Sequence, residues 1–513
     1  MYYCVNSCAV VGVNAMPVQV EVDVSEGLPQ MSMVGSLGQE VREAKERVFA
    51  ALKNIGLDVP AMHITVNLSP ADLRKEGTAF DLPIAIGMFV SMSYIPNINL
   101  HEMMFLGEIG LNGEIKSVRG ALPMVRLAKQ QGIKHCFLPA ENAKEGAVIE
   151  GIQVYGIHHL TELILFFQME EKSREEVLKP EKVNVLELFQ QGREAYKDDF
   201  SQVRGQTVAK RASLIAAAGF HNLLMLGPPG AGKSMIAKRI PGILPPLTLE
   251  ESLEVTSVYS VAGLTKNQNL LVNRPFQSPH HTISTTALTG GGIRPRPGAI
   301  SLAHRGVLFL DELPEFSKNA LEAMRQPLEN KTIQVARVGG VVEYPADFML
   351  VCAMNPCPCG YFPNRNKCKC TEPQIKRYLS KISGPILDRI DLCVELKEVE
   401  IEHLQRKEGN DTTSSMLQNK VEIARQIQTE RFRNTEYRFN SDIQAKDMDE
   451  FCYLGKAERL CIQKMYQSLN LSARSYHRII KVARTIADLE ESKEIQEKHL
   501  LEAGLYRPGE VLA

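Results

Sequence analysis

The sequence predicts an α/β fold: a P-loop nucleotide-binding core, a helical lid behind it, and a separate α+β domain in front. Three observations carry that expectation. An apolar run, Leu223–Leu226, precedes Gly227-Pro228-Pro229-Gly230-Ala231-Gly232-Lys233-Ser234, and Met235–Ile240 can continue as a helix. A second apolar run ends in two carboxylates, Gly306-Val307-Leu308-Phe309-Leu310-Asp311-Glu312. A charged stretch poor in large apolar residues, Met169–Asn184, separates these motifs from the N-terminal region. Strand, glycine-rich loop and helix, in that order, are the context a phosphate-binding loop requires.

With 513 residues the chain is long enough for about three domains. Its 44% hydrophobic and 23% charged residues describe an ordinary globular protein. At a net charge of −1, nucleic-acid binding would have to come from local basic patches. No apolar run approaches the roughly 18 residues of a membrane span, so no membrane partner is expected. Met1–Val13 lacks a basic region followed by a long apolar core, so it is not a secretion signal. The eleven cysteines are therefore expected as reduced thiols or metal ligands in a cytoplasmic protein.

The N-terminal region, 1–165, is expected to be mixed α+β. Cys8–Val24 alternates and is valine-rich, which predicts strand–turn–strand. Apolar spacing at Val41, Ala44, Val48 and Ala51 predicts a helix over Gly38–Ile55. His63–Leu68 reads as a strand leading to a loop through Asp72–Pro83, and Met104–Ile115 as a hairpin turning at Asn112-Gly113. A helix over Gly120–Gln131 and a strand over His135–Pro139 follow. The stretches Lys75–Asp81, Phe105–Lys116, and Gly132-Ile133-Lys134 through Pro139–Asn142 resemble the proteolytic domain of Lon-type ATP-dependent proteases. That family uses a Ser–Lys pair, the lysine acting as base for the serine hydroxyl. Laid over this chain, Ala79 falls where the serine belongs and Leu122 where the lysine belongs. The resemblance thus implies a protease-like fold kept for docking or assembly and not for cutting peptides.

Residues 166–195 read as a linker, 196–397 as the nucleotide-binding core and 398–513 as the lid. Val203-Arg204-Gly205-Gln206 and a helix over Val208–Ala218 lead into the P-loop. Its glycines leave room for backbone N–H groups to turn inward around the phosphates of ATP or GTP. Lys233 would reach the β- and γ-phosphates and the Ser234 hydroxyl would hold Mg²⁺. Asp311 would complete the Mg²⁺ shell and Glu312 would polarise the attacking water. This approach and these motifs resemble AAA+ motors. The resemblance implies that Asn355, ending the strand Phe348–Ala353, is the polar sensor that orients the lytic water. It implies that Arg389, in Ser383–Asp391, is a finger reaching the γ-phosphate of the neighbouring subunit, and that Arg474 of the lid touches the γ-phosphate. A finger acting in trans implies a ring. The alternative for Arg389 is an ion pair with Asp388 or Asp391.

Two insertions mark the core. Phe276–Ala303 carries His280, His281, Arg294 and Arg296 among glycines and prolines and reads as an exposed basic loop. Lys331–Tyr344, with Lys331 and Arg337, reads as a hairpin turning at Gly339-Gly340. These resemble the pore insertions of the magnesium-chelatase and replicative-helicase branch; a solvated surface loop is the alternative for each basic residue. Cys357-Pro358-Cys359 and Cys368-Lys369-Cys370 bring four thiols close in sequence, a set that suits tetrahedral Zn²⁺ although one intervening residue is fewer than usual. Four reduced thiols are the alternative. In the lid, Gly409–Ser415 reads as a loop, and Gln418–Phe432, Lys456–Leu469 and Ser472–Leu489 as helices. Arg474, His477, Arg478, Lys481 and Arg484 share one basic face of the last, either solvated or facing DNA.

Asn67–Pro83, Ser278–Ser284, Arg296-Pro297-Gly298 through Glu312, Asn355–Gly360 and Leu387–Leu392 together resemble the ComM/YifB family of magnesium-chelatase-like AAA+ ATPases over nearly the whole chain. Members are hexameric motors, and the resemblance implies a DNA helicase driving branch migration on branched or single-stranded DNA during recombination or natural transformation. Two other classes stay open: an assembly or docking ATPase without DNA activity, and a motor subunit coupling ATP to metal insertion into a porphyrin.

Overall fold

The computed structural model describes residues 1–507 apart from 29, 60, 195–197, 266–267, 293–294, 338–339, 383, 399–411 and 470. The front of the chain builds a seven-stranded mixed sheet in the order Gln30–Val34, Met62–Ser69, Asn14–Glu26, Tyr2–Val11, Met103–Phe105, His135–Pro139, Gln153–Ile157. Two-residue periodicity buries Val18, Val20, Val22 and Val24 of the second strand and leaves Gln19 and Asp23 outside. The helix Gln39–Asn54 buries Val41, Ala44, Val48, Ala51 and Leu52, the stripe its spacing predicts.

Two expectations change here. Only Glu108–Ile109 and Ile115–Lys116 form the hairpin. Met103–Phe105 instead runs parallel to His135–Pro139 inside the large sheet. The expected loop ends in a helix, Asp81–Ser91, with every residue buried. A helix buried on all sides has no amphipathic period to read, and Pro83 sits in its first turn, where the missing N–H costs nothing.

The stretch read as a linker is laid against the front domain. Glu181 N donates to Val154 O at 2.8 Å, and Leu188 and Phe189 of the helix Val185–Glu194 pack against the cluster around Leu122 and Val125.

The second sheet has five strands, all parallel, in the order Phe276–Gln277, Val307–Leu310, Met349–Met354, Leu223–Leu226, Leu392–Glu395. Three of its central strands are apolar and buried end to end, as expected of a parallel sheet covered on both faces. The helix Thr207–Gly219 and the lid helices Ser414–Arg431, Lys456–Ser468, Ala473–Leu489 and Glu497–Leu505 share one core with this sheet. Ser472 caps Ala473–Leu489, its Oγ accepting from Ser475 N at 3.2 Å. Arg478, Arg484 and Lys481 on that helix are spent internally: Arg478 donates to Asp388 O, Arg484 pairs with Asp488, and Lys481 donates to Ser441 O. They form no free basic face. The expected loop Gly409–Ser415 lies mostly outside the described residues, and from Ser414 the chain is already helical.

Front sheet and core meet along the helix Leu249–Ala262. Gly120 N donates to Ser260 O at 3.1 Å, and Thr265 Oγ1 donates to Glu145 Oε2 at 2.9 Å. Among the described residues no helix is long and apolar enough to cross a membrane.

Candidate nucleotide site

The turn after Leu223–Leu226 stands where parallel sheets bind ligands, at the carboxyl ends of the strands. Gly230 and Gly232 take φ of +77° and +90°, conformations that L side chains avoid, and Lys233 then begins the helix Lys233–Arg239. Lys233 Nζ donates to Gly227 O (2.6 Å), Pro228 O (2.9 Å) and Asn355 Oδ1 (3.0 Å). Burial lowers the pKa of this ammonium, and Asp311 and Glu312 oppose that shift. Ser234 Oγ donates to Asp311 Oδ2 at 2.7 Å. A hydroxyl beside a carboxylate, at the start of a helix whose backbone N–H groups face the loop, is an oxygen set that suits Mg²⁺ bound with a triphosphate. The predicted sensor, Asn355, therefore touches the P-loop lysine directly, and the two carboxylates stand at the end of the adjacent strand.

Glu312 occupies the left-handed region at φ +53°, uncommon for a non-glycine residue. Its Oε2 lies 3.3 Å from His281 Nδ1. His281 is thus a neighbour of the Glu312 carboxylate and not a member of a freely exposed loop. The parallel register of Phe276–Gln277 on Val307–Leu308 brings the two together.

Arg389 and Arg474 stand elsewhere. Asn222, immediately before the strand Leu223–Leu226, donates through Nδ2 to Arg389 O at 2.7 Å, and Arg474 Nη1 donates to Asp388 Oδ2 at 2.9 Å. Both arginines therefore sit at the amino edge of the sheet, with a four-residue strand, roughly 13 Å long, between them and the P-loop. Arg389 pairs with Glu329, not with Asp388 or Asp391. Burial, with the charges of Arg474, Arg325 and Arg478 nearby, lowers its pKa. Neither arginine joins the nucleotide site of its own chain.

The insertions are more folded than expected. His280 is exposed and its ring lies 4.1 Å from that of His281. Ser284 caps a short helix, Thr285–Thr289, and Gly291 pairs with exposed Arg296 across a two-stranded turn. Arg294 lies outside the described residues. The hairpin is present as Thr332–Arg337 on Gly340–Pro345, its tip and the Arg337 side chain lying outside the described residues. Lys331 precedes the hairpin and is tied down, 3.3 Å from Asp347 and paired with Asp442 of the lid. This pairing engages the Lys331 ammonium at the base of the hairpin. Glu329, Asp347 and Asp442 escape sequence reasoning because their partners lie far along the chain, Lys331 and Asp442 being 111 residues apart.

The four cysteines converge. Sγ separations are 3.4 Å (Cys357–Cys359), 3.7 Å (Cys357–Cys368) and 3.6 Å (Cys359–Cys368), and all four sulfurs lie within 4.8 Å of one another. A tetrahedron with Zn–S bonds of about 2.3 Å has S···S edges of about 3.8 Å, so the cluster has the size of such a site. It also leans on the P-loop: a Cβ at Gly360 would stand 2.5 Å from Pro229 Cδ.

In the front domain Ala79 and Leu122 are both buried in the same apolar cluster. Ala79 also lines a cleft of about 1390 Å³ between the front domain and the core, with Thr78, Ser117, Arg119, Asn142 and Glu145.

Three family profiles match the chain: magnesium chelatase, subunit ChlI, over residues 199–404; subunit ChlI of Mg-chelatase over 20–142; and the ChlI C-terminal region over 411–507. Competence protein ComM of Haemophilus influenzae is 41% identical over 505 residues, covering 98% of this chain and 97% of that one. Uncharacterized protein YifB of Escherichia coli is 40% identical, covering 98% and 96%. Lon protease 2 of Bacillus subtilis is 27% identical over 178 residues, 31% of this chain and 32% of that protein.

Proposed function

Because the chain belongs to the ComM/YifB family of magnesium-chelatase-like AAA+ ATPases, we propose that it is a hexameric motor that spends ATP to move DNA, acting in branch migration during recombination or natural transformation. The observation that carries the ring is the placement of Arg389 and Arg474 on the edge of the sheet opposite the P-loop. Arginines there stand away from the P-loop of their own chain and would serve a nucleotide held by a neighbouring copy, and copies joined head to tail would close into a ring. Lys233 would hold the β- and γ-phosphates, giving up the loop carbonyls it now bonds, while Ser234 and Asp311 would hold Mg²⁺. The metal would neutralise charge on the transferring phosphoryl group. Glu312 would take a proton from the attacking water, Asn355 would orient that water, and the neighbour's two arginines would stabilise the transition state.

DNA contact falls to His280, Arg294 and Arg296 on the first insertion and Arg337 on the hairpin. Such a grip would use phosphates and not bases, because a motor that travels along DNA has to tolerate every sequence. Lys331 serves differently in this reading, linking the hairpin base to the lid so that lid motion reaches the hairpin. The thiol cluster would hold one structural Zn²⁺ beside the P-loop. The front domain, with Ala79 and Leu122 where a hydrolytic dyad would need serine and lysine, would not cut peptides. Strand displacement on a four-way junction tests the motor. The purified protein should separate the arms with ATP and Mg²⁺, Glu312→Gln should not, and a parent that neither binds nor opens any junction would leave a docking ATPase in its place.

A further inference from the structure

Asn222 stands one residue before the strand Leu223–Leu226, at the edge of the sheet where Arg389 lies. Its side-chain amide works in both directions. Nδ2 donates to Arg389 O at 2.7 Å, and Oδ1 accepts from Leu350 N at 2.8 Å. The main chain of Asn222 adds a second clamp on the same turn. Asn222 N donates to Asp391 Oδ2 at 2.9 Å, and Asn222 O accepts from Asp391 N and Leu392 N, both at 3.0 Å. From the lid, Arg478 donates to Asp388 O at 2.8 Å, and the Arg389 guanidinium is held separately by Glu329. Leu350 belongs to the strand Met349–Met354, which leads to Asn355 and so to Lys233. The carbonyl of Arg389 is therefore tied to the two strands that end in the nucleotide site of its own chain. An amide offers a donor and an acceptor at once, whereas aspartate at this position would accept only and leucine would do neither.

We propose that Asn222 is a positioning residue for ATP hydrolysis in the neighbouring subunit, fixing the backbone from which Arg389 reaches across the interface. A group that stabilises charge in a transition state works by being in place beforehand, and a displacement of about 1 Å can cost up to about 100-fold. Without the amide, Arg389 O and Leu350 N both lose their partner, and the turn Asp388–Asp391 is free to drift from the sheet. Nucleotide binding in the same chain does not need this contact, because the P-loop lies a four-residue strand away, roughly 13 Å. The defect should hence appear in the site of the next copy and not in the chain's own. This role rests on the reading that Arg389 acts in trans.

The test uses full-length protein. Asn222→Ala alone should lower kcat for ATP roughly 10- to 100-fold and leave KM unchanged. Mixtures of inactive subunits then locate the defect. In the reference mixture, Lys233→Ala supplies arginines and Arg389→Ala/Arg474→Ala supplies nucleotide. Adding Asn222→Ala to the arginine supplier should cut the recovered ATPase roughly tenfold or more. Adding it to the nucleotide supplier should leave recovery at the reference level. A merely structural role would lower both mixtures alike, and that result overturns the proposal, as does an arginine supplier that works as well with Asn222→Ala as without it. If Asn222→Ala fails to bind a fluorescent ATP analogue, Asn222→Asp, which keeps the acceptor for Leu350 N and loses the donor to Arg389 O, replaces it under the same expectations. A reference mixture that stays inactive overturns the trans reading and this role together, whereas a reference that recovers beside an undiminished Asn222→Ala supplier overturns this role alone.

Discussion

Replacing Asp442 by asparagine should weaken the union of lid and core by an amount the geometry sets. Asp442 Oδ2 accepts from the backbone N–H groups of Arg438 (3.0 Å) and Phe439 (2.9 Å), while Oδ1 meets Lys331 Nζ. Lys331 is 3.3 Å from Asp347, Asp347 pairs with Arg305, and Arg305 Nε is 2.9 Å from Glu254. Asparagine keeps the shape and one acceptor oxygen but removes the charge. The Lys331 and Asp442 side chains are 44% and 10% exposed. That places the pair between surface pairs, worth about 0.2–1 kcal/mol, and buried pairs, whose breakage costs about 3–5 kcal/mol. A loss of about 1–2 kcal/mol is therefore expected, read from urea unfolding at pH 7. The pH dependence follows from both partners. Burial opposes the charge of Asp442, but Lys331 and the two N–H groups outweigh it and lower the pKa. Its contribution is present above about pH 4, the unfolded value, and is lost as pH falls through the folded pKa. Burial also opposes the charge of Lys331, and Asp442 and Asp347 outweigh it and raise the pKa. Its contribution is full below about pH 10.4 and is lost as pH rises through the folded value. The difference between parent and Asp442→Asn should hence stay constant from about pH 5 to 9 and shrink below about pH 4. In a double-mutant cycle with Lys331→Met the two changes should couple by about 1 kcal/mol; strict additivity would refute the strut.

Lys233→Ala should abolish nucleotide binding, whereas Glu312→Gln should bind ATP and hydrolyse it at least about 100-fold more slowly; a fluorescent-nucleotide titration beside a phosphate-release assay separates the two. Zinc should copurify at about one ion per subunit and disappear in Cys357→Ser/Cys368→Ser, measured by elemental analysis; protein purified without chelator and free of zinc would leave a cluster of reduced thiols. The front domain should degrade no unfolded substrate with ATP, and peptide cleavage lost on changing Thr78 or Ser117 would contradict the inert reading.

How much of this was legible in the sequence depends on how local each feature is. The run Leu223–Leu226 with its glycine turn and lysine could be read because strand, loop and helix are contiguous and each residue type answers a local need. The helix Gln39–Asn54 announced itself through its apolar stripe. Asp81–Ser91 did not, because burial on every side erases the polar–apolar contrast that periodicity detects. Met103–Phe105 and Phe276–Gln277 are too short for any pattern and exist as strands only through their neighbours in the sheet. The partners of basic residues were the least legible. Nothing near Lys331 or Arg389 in sequence points to Asp442 or Glu329, and the contact of His281 with Glu312 follows from sheet order. One rule would have located it: in a parallel sheet, loops leaving the carboxyl ends of adjacent strands share the ligand site.

The central claim is that each nucleotide site is finished by a neighbouring copy. It is tested most directly by mixing two inactive proteins, Lys233→Ala, which keeps Arg389 and Arg474 but cannot hold nucleotide, and Arg389→Ala/Arg474→Ala, which holds nucleotide but offers no arginines. If the arginines act across an interface, the mixture should recover ATPase activity, because subunits of the second kind gain intact arginines from neighbours of the first. In a random one-to-one mixture roughly a quarter of the interfaces would be complete, so recovery should approach a quarter of the parental rate. A mixture that stays as inactive as its components, in oligomers shown to contain both subunits, would contradict the account.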